Sequence, residues 1–235
     1  MRSKDVKLIV SILSLFVVII GTYFANDILD DNSDKTTEDV SYSISDIPEY
    51  SGDYYVVLND NKPNFKDSEY TTESSEIYSD LDNLGRCGVA YANVGPELMP
   101  TTKRGSIGMI KPTGWHTIRY DDLVEGKYLY NRCHLIAYML TGENANEKNL
   151  ITCTRHMNAT VMLEFENKVA DYIHKTGNHV LYRVTPYFKG DNLLATGVQM
   201  EASSVEDNTI SFNVFVYNVQ DGIDIDYATG DSKRK

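Results

Sequence analysis

The chain has 235 residues, 42% of them apolar, enough for one large hydrophobic core or two small ones, and it carries a formal net charge of −12 at neutral pH. Its 34 acidic against 22 basic side chains argue against a tight nucleic-acid binder, because such binding is dominated by Lys and Arg contacts to phosphate. No internal repeat, phosphate-binding loop, dinucleotide fingerprint or zinc-protease motif is present.

Residues 8–25 are 18 uncharged positions preceded by Arg2, Lys4 and Lys7, the pattern of an export signal. The run is just long enough to span a bilayer. Tyr23 stands where a cleavage site wants a small residue, which favours an uncleaved membrane anchor over a cleaved signal peptide. Either form puts the rest of the chain outside the cytoplasm. Residues 26–46 are polar and acidic and read as a flexible linker, so the globular domain is expected over residues 47–235.

Within that domain a strand is expected over residues 54–58. Ile77, Tyr78, Leu81 and Leu84 recur at helical spacing and stop at Gly85, which predicts a short helix. Another strand falls over 88–93, followed by a loop-rich stretch that contains Trp115, the sole tryptophan, read as a core residue. Residues 128–131 read as a strand that delivers Arg132, Cys133 and His134, and residues 150–151 as a short extended piece. The longest helix is expected over 158–175, with Met162, Phe165, Val169, Tyr172 and Ile173 as its apolar stripe and Gly177 as its end. Alternation over 180–188, 194–204 and 210–219 predicts three strands in an antiparallel meander covered by helices, an α+β class.

The charge is unevenly spread. Between Arg86 and Thr160 nine Lys and Arg meet six Asp and Glu, and three of the five histidines fall there. An acidic body with one locally basic face suits a catalyst that must release a polyanionic product. Hydrolysis of a phosphodiester needs a base for water, a cation at the phosphate and support for the departing oxygen. His134 has the side chain for the base, and Asn158 offers a neutral amide oxygen to a hard cation such as Mg²⁺. Glu166 lies eight positions on, two helical turns further, roughly 12 Å along the axis. It is therefore suited to holding the cation's water rather than the cation. Arg132, beside the base, suits the phosphate or the transition-state charge. Lys103, Arg104 and Arg155 are candidate substrate-binding cations; a solvated loop is the competing reading for the first two.

These residues resemble those of the DNA/RNA non-specific endonucleases. The family's Asp-Arg-Gly-His motif stands here as Asn131-Arg132-Cys133-His134, with Asn149, Asn158 and Glu166 following at matching positions. The resemblance implies a ββα-metal nuclease fold with a central antiparallel sheet flanked by helices. It implies a metal-dependent endonuclease of low sequence specificity acting on DNA, with RNA as a further candidate substrate. His134 would be the general base, Arg132, Glu166 and Asn149 would complete the catalytic set, and Asn158 would be the ligand of a single Mg²⁺, with Mn²⁺ as substitute. It implies a secreted or membrane-anchored enzyme. Asn131 departs from the motif by lacking a negative charge beside the base, and Cys133 replaces a glycine. The competing class is a non-catalytic nucleic-acid-binding surface protein descended from such a nuclease. An exported domain keeps disulfides. Cys87–Cys133 is the favoured pairing, since it would fasten the active-site strand to an upstream segment; Cys133–Cys153 is the alternative.

Overall fold

In a computed structural model residues 47–235 are described; the expected export segment (1–25) and acidic linker (26–46) lie outside the described residues. Among the described residues ten strands form in chain order: β1 (Tyr55–Val57), β2 (Ser75–Tyr78), β3 (Ala90–Val94), β4 (Tyr130–His134), β5 (Leu150–Thr154), β6 (Val180–Tyr187), β7 (Gly197–Ser204), β8 (Ser211–Tyr217), β9 (Ile223–Ile225) and β10 (Ser232–Arg234). Six of them make an antiparallel sheet in the order β1-β8-β7-β6-β3-β2, while β4 pairs with β5 and β9 with β10.

The meander follows from period-two patterning. Register puts Val184 opposite Met200 and Met200 opposite Val214, and likewise Tyr182, Ala202 and Phe212 in a row. All are buried on one face of the sheet. The helices α1 (Tyr138–Thr141) and α2 (Leu163–Thr176) cover that face, together with the β4–β5 hairpin. Phe165, Val169 and Ile173 repeat every four residues along α2 and enter the same core. Full burial of such a side chain stabilises by about 1.5–3 kcal/mol. Gly177 ends the helix with φ 73°, a left-handed conformation that its missing Cβ permits, and its amide bonds the carbonyl of Ile173. On the other face of the sheet, Arg183 pairs with the buried Glu201 at 2.7 Å and bonds the carbonyl of Asn64.

A second, smaller core gathers Tyr120, Val124, Leu129, Tyr130, Leu194 and Ile223. The C-terminal turn leans on it: the Tyr130 hydroxyl donates to the carbonyl of Gly230 at 2.9 Å. Gly230 has φ 90°, and a Cβ there would meet the carbonyl oxygen of Gly114 at 2.0 Å. The turn therefore sits directly on the backbone just before Trp115.

Two expectations are corrected. The stretch from Ile77 to Leu84 is not a helix: Ser75–Tyr78 is an edge strand paired with β3, and residues beyond it turn. Ile77 is 62% exposed and Leu84 42%, so their helical spacing reflects no shared buried face. The Asp82 carboxylate accepts from the amides of Leu84 and Arg86, a local turn that competes with helix formation. Further on, Arg132 and His134 lie within strand β4 rather than after it.

Candidate active site

The hairpin sets the first half of the site. Its register places Asn131 opposite Cys153, Arg132 opposite Thr152, Cys133 opposite Ile151 and His134 opposite Leu150. Cys133 and Cys153 are thus diagonal neighbours on one face, and they form the disulfide, with Cα atoms 5.9 Å apart. This replaces the expected Cys87–Cys133 bond. Cys87 is a buried free thiol whose sulfur donates to the carbonyls of Glu147 and Leu150, each at 3.2 Å, and burial pushes it up to about 12.

His134 is 5% exposed and both ring nitrogens are engaged. Nε2 lies 2.8 Å from the carbonyl oxygen of Asn144, and Nδ1 lies 3.0 Å from a terminal nitrogen of Arg104. A carbonyl only accepts, so Nε2 carries the proton and Nδ1 presents its lone pair. Burial, aided by the Arg104 charge, lowers the imidazole from its ordinary 6.5 to about 4, which keeps it neutral.

Asn149 is fully buried. Its side-chain oxygen accepts from the Ile136 amide at 2.9 Å and its amide donates to the Ile136 carbonyl at 3.0 Å. It holds the backbone two residues past His134 and is not among the residues that line the pocket described below.

The second half of the site comes from the helical segment. Met157–Met162 winds as a π-helix before α2 begins, with the Met157 amide bonded to the Thr154 hydroxyl. Such wide turns recur at functional sites because they re-aim side chains. Asn158, on this turn, lines a pocket of about 480 Å³ that Arg104, Asn131 and Arg132 also line. Glu166 is 6% exposed, and burial raises its carboxyl to about 8 while Arg104 acts in the opposite direction. Arg104 thus faces both buried titratable groups of the site.

Arg132 lines the pocket and is anchored there by its neighbours. Its guanidinium donates to the carbonyls of Ile110 and, at 3.1 Å, Gly108, and it lies 3.9 Å over the ring of Trp115. Arg155 is not brought to the pocket: its guanidinium packs where a Cβ on Gly126 would stand. Lys103 is exposed on the loop that carries Arg104. Two contributors escaped sequence reasoning. The Asn144 carbonyl is a backbone atom with no residue signature, and Trp115, read as core, both packs on the second core and lines the pocket.

A protein of this fold and site is a ββα-metal nuclease, and comparison with known proteins agrees. The profile of the DNA/RNA non-specific endonucleases matches residues 63–206, and the chain belongs to that family. A deoxyribonuclease of Streptococcus dysgalactiae subsp. equisimilis is 35% identical over 108 residues, 44% of this chain but only 32% of that relative's length. NucA from Streptococcus agalactiae superposes with a TM-score of 0.71 in its metal-free form, at 26% identity over 87% of this chain and 98% of the other. Its magnesium-bound form superposes at 0.68, covering 76% and 87%. The Sda1 nuclease, solved with a zinc ion, gives 0.64 at 26% identity, covering 83% and 100%.

Proposed function

We propose that the chain is a divalent-metal-dependent endonuclease that hydrolyses DNA, with RNA as a second substrate, and that His134 is its general base. The observation that carries this is the imidazole itself. It is buried and neutral, its proton held on Nε2 by the Asn144 carbonyl, and its Nδ1 lone pair is directed to Arg104, which lines the same pocket as Asn158. A neutral imidazole with a fixed tautomer is the form that takes a proton from water.

Nδ1 accepts from Arg104, so this hydrogen bond must open before the base can work. A phosphodiester is a charged acceptor, and charge-assisted bonds are roughly twice as strong as neutral ones. Substrate would therefore draw the guanidinium from the ring to the phosphate, and Arg104 becomes the substrate-binding cation. Lys103, exposed beside it, would add a further phosphate contact. Asn149 and Arg132 act by holding the backbone on either side: one fixes Ile136, the other the loop at 108–110.

The donor set fits a hard, hydrated ion. Among the described residues no group of three or more His, Cys, Asp or Glu could hold a metal, which disfavours a tetrahedral zinc centre. An amide oxygen on the pocket wall suits Mg²⁺, or Mn²⁺ in its place, since Mg²⁺ keeps most of its waters. Asn158 would hold the ion and Glu166 would face its hydration shell. Bound there, the ion would supply charge to offset the developing negative oxygen. The export pattern of residues 1–25 supports an enzyme that acts outside the cytoplasm, anchored or released.

Plasmid digestion by the purified chain, with and without chelator, tests the assignment. His134→Ala and Asn158→Ala should each abolish cleavage, with circular dichroism unchanged. Undiminished cleavage by His134→Ala would remove the base from the mechanism, and binding without any cleavage by the unmutated chain would favour a non-catalytic role.

A further inference from the structure

The pocket extends well beyond the groups that hydrolysis needs. From Asn158 and Arg104 it runs to a wall made by Trp115, His116 and Tyr128, with Asn131 on its side. The wall is built from two chain segments tied together by the Arg119–Tyr128 bridge and by the Leu129 amide bonded to the Ile118 carbonyl. Tyr128 is 46% exposed, although it neighbours the buried Leu129 and Tyr130. Trp115 is covered by the Arg132 guanidinium, itself fixed by two backbone carbonyls, and packs against the second core, so the open rings of the wall are His116 and Tyr128, the latter with the Arg119 guanidinium 5.3 Å from its centroid. His116 donates through Nε2 to the Thr229 carbonyl at 3.1 Å, which holds that ring in place. Flat π-surfaces, a planar cation and an amide thus form one rigid rim, next to the groups that would act on a phosphodiester.

Its capacity, about 480 Å³, lies within the range of small-ligand sites. Aromatic and guanidinium planes are the surfaces on which nucleobases stack, and stacking tolerates any base because each has a π-face. The bases of a duplex are already stacked on their neighbours and paired. We infer that this end of the pocket is a subsite for an unpaired nucleobase flanking the scissile phosphate, so that the enzyme favours single-stranded or locally melted nucleic acid without reading its sequence. The inference rests on the nuclease reading above and adds to it the strand state of the substrate. Asn131 lines this side of the pocket with a neutral amide, and the carboxylate beside the wall is that of Asp231, 3.9 Å from His116 Nε2.

Because Trp115 is the only tryptophan, its fluorescence reports occupancy without any cleavage. The full chain carrying His134→Ala would be titrated with a single-stranded oligonucleotide, with the same sequence as a duplex, and with a single strand bearing one abasic position. Quenching by the intact strand is expected at a concentration roughly tenfold below that needed for the abasic strand or the duplex, in line with one stacked base. Tyr128→Ala should bring the intact strand to the abasic level. Equal quenching curves for intact, abasic and duplex ligands would overturn the subsite, and this comparison needs no variant of the rim to fold. If the unmutated chain cleaves DNA while those curves coincide, only the subsite fails; if it cleaves nothing, the nuclease reading fails.

Discussion

At the scale of single residues, two buried titratable groups pull the stability of the metal-free protein in opposite directions with pH. His134 titrates at about 4 in the folded protein against 6.5 when unfolded, so between these values the unfolded chain binds more protons and stability falls as pH drops. Glu166 titrates at about 8 against 4.5, so its folded form holds the extra proton. Its contribution is complete below 4.5 and is lost as pH rises through 8. Glu166→Gln keeps the neutral hydrogen-bonding shape and removes the titration. Its melting temperature, measured without divalent ions, should exceed that of the unmutated chain at pH 8 and converge with it near pH 4. Parallel curves at both pH values would mean that Glu166 is ionised in the fold at no cost.

At the scale of elements, the hairpin and the helical segment meet to make the site, and each was legible to a different degree. Helix α2 could be read from its stripe because Phe165, Val169 and Ile173 answer to one buried face. The π-turn before it could not, since nothing in Met157–Met162 distinguishes five-residue from four-residue hydrogen bonding. Residues 77–84 misled because an edge strand followed by an Asp82-centred turn happens to space its apolar side chains like a helix. The disulfide depends on hairpin register, where Cys133 and Cys153 become diagonal neighbours only once His134 pairs with Leu150. Alkylation of the denatured, unreduced chain should label Cys87 alone, and Cys153→Ser should cost about 3 kcal/mol in chemical denaturation, the entropy of a loop of this size. Labelling of Cys153 instead would restore the Cys87–Cys133 alternative.

At the scale of the whole molecule, the locally basic stretch between Arg86 and Thr160 dissolves into separate tasks. Arg86 pairs with Asp82, Arg119 with Asp121 and Lys148 with Asp80. Arg132 is taken up by carbonyls and Trp115, and Arg155 by packing. Four of the nine remain for phosphate, Lys103, Arg104, Lys111 and Lys127, on an acidic body. Binding of an oligonucleotide should therefore weaken moderately with salt, with a log–log slope no steeper than about −3 to −4 rather than the steep slope of a high-affinity binder. A slope several times larger would point to a cationic surface elsewhere. This economy of charge agrees with an enzyme that turns over rather than one that retains its polymer.

The amino-acid order by itself determined the α+β class, the meander and the long helix, because burial of one face imposes a period that short stretches of chain reveal. Tertiary structure alone decided which cysteines join, that the His134 ring is oriented by the Asn144 carbonyl, that Arg104 closes on its Nδ1 and that Arg132 bonds the loop at 108–110. The physical reason is common to all four. They depend on strand register and on backbone atoms, which every residue type carries alike, and on contacts between segments that local periodicity does not encode.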